Sequence, residues 1–141
     1  MTLMYLCKCM CHHRDTTRVS PTLLATVSDI VASKMYAQKI GYSTILWTDK
    51  EHADTFKGYR QANGRDITEI PLIEIMNAIA LTVQEQLSIK TDALTLLVAK
   101  RLGFARRGAK VELALNNGLE ALLNANRVVE CDGVIKLPEQ Q

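Results

Sequence analysis

Three groups of side chains in this sequence are of types that do chemistry. Cys7, Cys9 and Cys11 are followed directly by His12 and His13, a dense run of soft metal ligands. Structural zinc sites use C-x₂₋₄-C pairs that bend around the ion, with a second pair elsewhere. Here the spacing is C-x-C-x-C-H-H, and Cys131 stands alone near the other end. That pattern reads as an adventitious metal-binding tail of reduced thiols, and no resident metal or cofactor is expected. Asp49, Glu51, His52 and Asp54 are the second group, of types suited to metal binding or acid–base work. On a short polar segment they read as a solvated surface. No Ser, Cys or Lys nucleophile is placed with a base and an orienting acid in a recognisable motif, so catalysis is not expected.

The third group is cationic. Lys100, Arg101, Arg106, Arg107 and Lys110 place five positive charges within 11 residues, with no acid between them. Arg and Lys contacts to phosphates supply most non-specific nucleic-acid affinity, so this run is the candidate DNA-backbone site. The plainer reading is a solvated turn whose Lys100 and Arg101 complement the negative end of a helix. Asn116, Asn117 and Asn124 follow, and asparagine can pair with adenine in a major groove. Glu112 and Glu120 share that segment and repel phosphates, which favours a polar exposed face or a protein-docking face over base reading.

Elements must position these groups. Residues 1–19 show neither helical nor strand period and read as a disordered lead-in. Ser20 can cap a helix whose first position is Pro21. Leu24, Val27, Val31 and Met35 follow at helical spacing, and Gly41 suits the residue just past the end. Tyr42 to Thr48 is rich in strand formers and carries Trp47, a packing anchor. Residues 20–57 are therefore expected to be one helix running into one strand. Residues 58–71, polar and carrying Asn63-Gly64 as the best turn signal, read as a linker.

From Leu72 the pattern is more regular. Leu72, Met76, Ile79, Val83 and Leu87 form one helical stripe after Pro71. Thr91 can cap a second helix, with Asp92 favourably near its positive end and Gly103 stopping it. A third helix is expected over 109–126, with Val111, Leu115, Leu119 and Leu122 inward. Within it, Gly118 costs roughly 1 kcal/mol against alanine. With Ala114, Ala121 and Ala125 it makes a small-residue face suited to close approach of another helix, internal or from a partner. Arg127 to Glu130 and Val134 to Leu137 flank Cys131-Asp132-Gly133, the signal of a β-hairpin. Helix, short extended link, helix, helix, hairpin is the order of a winged helix. The expected fold is thus mainly α (α+β), with a winged-helix-like domain over 72–141.

Bulk composition fits this reading. Of 141 residues 48% are hydrophobic and only 5% aromatic, which favours aliphatic packing of helices. The net charge of +2, from 17 basic and 15 acidic residues, gives no chain-wide pull on polyanions. Any nucleic-acid footprint must be local. No apolar run reaches the roughly 18 to 20 residues of a membrane span. Met1 to Met10 is short and interrupted by Lys8, unlike a secretory signal. A soluble, cytoplasmic protein without membrane contact is expected.

Two stretches carry a family likeness. Ala99-Lys100-Arg101-Leu102-Gly103-Phe104, then Arg106-Arg107-Gly108, a long helix and Arg127-Val128-Val129 lie within a segment, Glu74 to Pro138. That segment resembles the uncharacterised domain at the extreme C-terminus of large bacterial superfamily-one helicase–nuclease proteins. Upstream, Lys39-Ile40-Gly41-Tyr42-Ser43-Thr44-Ile45-Leu46-Trp47-Thr48-Asp49 is similar to the end of a very-short-patch-repair-like endonuclease domain. In those proteins that domain immediately precedes the C-terminal one. The likeness covers roughly residues 22 to 138. It implies a DNA-associated accessory module without motor or blade. The nuclease-like portion begins near its final helix, so that family's metal-binding acids would lie upstream of Met1. No G-x-x-x-x-G-K-[ST] motif occurs. The expectation is a non-catalytic DNA-binding module. The alternatives are a protein-interaction domain working through helix 109–126, or a remnant of a larger helicase–nuclease.

Overall fold

A computed structural model describes Leu6, residues 18–40 and residues 43–139. The chain divides into two compact units, Met1–Phe56 and Lys57–Gln141. No helix among the described residues is long and apolar enough to cross a membrane.

The first unit begins its described chain at α1 (Pro21–Lys34). Ser20 caps it as expected, its Oγ accepting from the Leu23 N–H at 3.1 Å, with Pro21 at the first helical position. The helix ends sooner than the stripe suggests. Met35 is already extended and donates its N–H back to the Val31 carbonyl. After it come β1 (Tyr36–Ile40) and β2 (Ser43–Trp47), paired antiparallel from Tyr36↔Trp47 to Ile40↔Ser43. One helix and one strand were expected here; a helix and a hairpin are found. The reason lies in a change of period: Tyr36, Gln38 and Ile40 are half-buried while Ala37 and Lys39 are exposed, the alternation of a strand. Gly41 and Tyr42 lie outside the described residues.

A short α2 (Lys50–Thr55) closes the unit. Val27, Val31 and Leu46 form a small buried cluster, with Leu23, Leu24 and Met35 against it. Of the lead-in 1–19, only Leu6, Arg18 and Val19 are described, and Leu6 and Val19 pack against this same cluster. Cys7, Cys9, Cys11, His12 and His13 lie outside the described residues.

The second unit is α+β and winged-helix-like. Its elements are a 3-10 turn (Ile67–Glu69), α3 (Leu72–Gln86), β3 (Ser88–Lys90), α4 (Thr91–Arg101), α5 (Ala109–Asn124), β4 (Val129–Cys131) and β5 (Val134–Lys136). The extended link between the first two helices pairs with the final strand, giving a three-stranded antiparallel sheet of order β3–β5–β4. Asp132 and Gly133 both have positive φ, 52° and 74°, as the two-residue hairpin turn requires.

Helix stripes build the core. Ile75, Ile79 and Val83 of α3, Leu94, Val98 and Leu102 from the second helix, and Leu115 and Leu122 of α5 are buried together, with Ile135 and Val128 closing from the sheet side. Gly118 sits where α5 crosses α3: a Cβ there would lie 2.7 Å from Ile75 Cγ2 and 3.1 Å from Ile79 Cδ1. Gly118 therefore serves a close contact inside the unit. Leu87, expected on the inward stripe, is 77% exposed and caps α3 at φ +64°. The helix ends one residue before it.

Residues 58–71 do not form a linker. Ala62, Ile67 and Ile70 are buried in the main core. Asn63 and Gly64 make the expected turn, both at positive φ. Around it the backbone is pinned to two helices. Glu74, only 3% exposed, accepts from the Arg60 backbone N–H at 2.9 Å, from Arg60 Nε at 3.2 Å and from Arg60 Nη2 at 2.5 Å. Asn77 Nδ2 donates to the Gly58 carbonyl, and the Ala62 N–H donates to the Leu102 carbonyl at 2.7 Å. Three apolar residues at irregular spacing among polar ones show no period, which is why the segment reads as a connector in the sequence. Asp66 and Glu69 also form a reciprocal capping box over the 3-10 turn.

Candidate nucleic-acid interface

The cationic run begins in the last turn of α4, crosses a loop and ends in the first turn of α5. Gly103, at φ +94°, turns the chain out of α4, with the Phe104 N–H donating to the Ala99 carbonyl. Phe104 packs against the core. The loop then runs back along α4, because Arg107 reaches the opposite end of that helix. Its Nη1 donates to Thr95 Oγ1 at 2.7 Å and to the Asp92 carbonyl at 3.4 Å. The Thr95 hydroxyl itself donates to the Asp92 carbonyl at 3.1 Å.

The same end of α4 holds the wing. Thr91 was expected as the cap, but the cap position is Lys90, and no side chain caps the helix there. Thr91 is already helical. Its backbone N–H and its hydroxyl both donate to the Gly133 carbonyl, at 3.1 and 3.2 Å. β3 competes for that backbone: Lys90 pairs with Val134, so Thr91 follows the strand into the wing turn.

The five cations thus divide. Lys100 and Arg101 lie at the C-terminal end of α4. Arg107 is anchored on Thr95 and Asp92, five and eight residues before Lys100, about 7.5 to 12 Å along the helix at 1.5 Å per residue. Arg106 and Lys110 flank Arg107 in the sequence and are exposed. Arg101 is occupied by Glu85 of α3, which both of its terminal nitrogens reach in a two-pronged ion pair. The Arg101 hydrogen bond holds the Glu85 carboxyl below its ordinary range, and the same bond raises the Arg101 guanidinium. Lys100, Arg106 and Lys110 make no ion pair among the described residues. The structure adds Lys90, exposed and two residues before Asp92. Its contribution is invisible in sequence, because 16 positions separate it from Arg106; only the β3–β5 pairing and the returning loop bring the two regions together.

Acids also border this end: Asp92, Glu112, Glu130 and Asp132 are exposed. On α5 the exposed positions include Lys110, Glu112, Leu113, Asn116, Asn117, Glu120 and Asn124. Leu113, 63% exposed, stands on the same helix face as Asn116, Asn117, Glu120 and Asn124.

The second candidate group has a structural account. Asp49 caps α2, its Oδ1 accepting from the His52 N–H at 2.7 Å. The Thr48 hydroxyl lies 3.1 Å from His52 Nδ1. The His52 ring packs against Trp47 and Phe56, with centroids 5.6 and 6.2 Å away, and Trp47 meets Phe56 at 5.0 Å. Trp47 is buried and its Nε1 donates to Gln38 Oε1 at 3.0 Å across the hairpin, the anchoring role expected of it. Among the described residues no group of three or more His, Cys, Asp or Glu side chains is disposed to hold a metal ion.

Comparison of the chain with protein-family models, with curated proteins and with solved structures gave no match in any of the three.

Proposed function

We propose that the Lys57–Gln141 unit is an accessory nucleic-acid-binding module that grips the DNA backbone and does no chemistry itself. What supports this is that Lys90, Arg106 and Lys110, exposed and without ion pairs among the described residues, adjoin the contacts at the start of α4: Lys90 precedes Thr91, which binds the wing turn, and Arg106 and Lys110 flank Arg107, which binds Thr95 and Asp92. In winged helices the third helix and the wing meet the duplex together, so cations at that junction meet phosphates first. Lys100, at the far end of α4, is a further contact in this reading, while Arg101 is withheld by Glu85. The likeness to the C-terminal domain of helicase–nuclease proteins points the same way, and a cytoplasmic setting belongs to the same proposal.

Fluorescence anisotropy with a 20-base-pair DNA duplex tests it. Three to four phosphate contacts give a slope of log K against log salt of roughly −2.7 to −3.6. The double exchange Arg106→Glu with Lys110→Glu should abolish binding near physiological salt. An affinity indifferent to salt and to this pair defeats the proposal.

One observation favours a second reading, a protein partner docked on α5. Leu113 is exposed between Glu112 and Asn116, and Leu96 of α4 is 60% exposed. Exposed leucines among acids suit a protein surface better than phosphates. Light scattering and a pull-down distinguish the readings: a strictly monomeric chain with no captured protein leaves this one without support.

A further inference from the structure

We infer that Arg107, placed by the sequence among the phosphate contacts, is a positioning residue that fixes the angle between α5 and the wing. This rests on the nucleic-acid reading above and says how its surface is built. The Arg107 guanidinium is committed on its inner side to Thr95 Oγ1 and the Asp92 carbonyl. Thr95 is only 6% exposed, so the bond is held on its acceptor side by a buried hydroxyl, while Arg107 itself lies at the surface. One residue before Asp92, Thr91 makes its two hydrogen bonds to the Gly133 carbonyl of the wing turn. The first turn of α4 is therefore a hub. Arg107 ties the lead into α5 to it, and Thr91 ties the wing to it.

The first position of α5 lies two residues after Arg107, and its N-cap Gly108 offers no side-chain cap. Nothing in Ala105 or Gly108 can grip α4, since neither carries a polar side chain. In this stretch the Arg107 side chain is the polar link between the two helices. A lysine there would offer a point charge in place of a planar fork. Arg106, on the loop, and Lys110, in the first turn of α5, are displayed by a chain course that Arg107 sets.

Direct contact and positioning predict different salt behaviour. A cation that touches phosphate contributes about 0.9 to the slope of log K against log salt, and its removal lowers the slope by that much. A positioning residue changes affinity at every salt concentration and leaves the slope in place. The full chain is titrated with the 20-base-pair DNA duplex as wild type, Arg107→Gln and Thr95→Val, with circular dichroism and thermal melting confirming that each variant is folded at the assay temperature.

Thr95→Val removes the acceptor and keeps both the side-chain shape and the Arg107 charge. We expect both variants to bind roughly three- to tenfold more weakly, about the scale of one hydrogen bond, with the wild-type slope. The wing-turn Gly133 amide resonance should also shift in both. A slope lower by about 0.9 in Arg107→Gln, with Thr95→Val binding like wild type, overturns the inference and leaves the nucleic-acid reading standing. Wild type that does not bind the duplex overturns both.

Discussion

The two units solve the same problem with different means. The Lys57–Gln141 unit holds together through contacts between residues far apart in sequence: α5 against α3 at Gly118, Arg60 on Glu74, Ala62 on Leu102, β3 on β5. The described part of Met1–Phe56 relies more on neighbours: a hairpin with paired residues 3 to 11 positions apart, a capped short helix, and an aromatic trio within ten residues of sequence, with one small apolar cluster joining Val27 and Val31 to Leu46. Local structure forms at little loop-closure cost but buries little. A unit held by long-range contacts fails as a whole when one contact is spoiled, whereas a locally built one yields piece by piece.

The sharpest way to test that contrast is Gly118→Val. Its side chain would enter the space of Ile75 and Ile79, and a β-branched residue has little rotamer freedom in a helix to escape. Overpacking of this kind costs about 3 kcal/mol. Chemical denaturation should show one cooperative transition of the second unit moving to lower denaturant. An unchanged midpoint would mean that α3 and α5 cross less closely than described here. Next is Glu74→Ala. It strips the acceptor from three Arg60 bonds, one from the backbone, and should cost about 2 kcal/mol. Amide exchange should then speed up over residues 58–62 before it does in α5. If both accelerate equally, this segment is not separately pinned.

In the first unit, Asp49→Ala removes the cap of α2 at a cost of about 1 kcal/mol. Near-ultraviolet circular dichroism of Trp47 should change, because His52 and Phe56 of the aromatic trio are set by that helix and its end. The smallest effect is that of Glu85. Its carboxyl is held below the ordinary value of 4.5 by the Arg101 hydrogen bond, against an opposing effect of burial. A lowered carboxylate adds stability above its unfolded value and loses it as pH falls through the folded one. Glu85→Gln should therefore narrow the difference in stability between pH 6 and pH 3, read as melting temperature across that range. A profile unchanged below pH 4.5 would show the pair contributes nothing.

Sequence reading reaches what is periodic or local. The stripes of α3 and α5, the Gly103 stop of α4, the Ser20-Pro21 start, and the Asn63-Gly64 and Asp132-Gly133 turns are all legible, because each signal lies within a few residues. Tyr36–Ile40 is missed since Met35 happens to extend the helical spacing by one step. The 58–71 segment is missed because Ala62, Ile67 and Ile70 follow neither period; the Asp66–Glu69 capping box is the one local signal that could have revealed order there. At the candidate site, the run of five charges is visible, but its division is not. Arg101 finds Glu85 sixteen residues back, Arg107 finds Thr95 twelve back, and Lys90 joins through a strand pairing that spans 44 residues. Charge in a sequence is a count; which charges remain available is decided by folding.

The position of β5 has a consequence for how the chain is made. It is the central strand of its sheet, yet both strands that pair with it are made before it. Until Val134–Lys136 has emerged, Ser88–Lys90 has no strand to lie against, Thr91 has no Gly133 carbonyl to bind, and the side of the core that Ile135 covers stays open to water. Synthesis proceeds at about 5 to 20 residues per second. Only 12 residues separate the end of α5 from the end of β5, so for about 0.6 to 2.4 seconds three nascent helices stand around an unsealed interior, and β5 is the latch that shuts it.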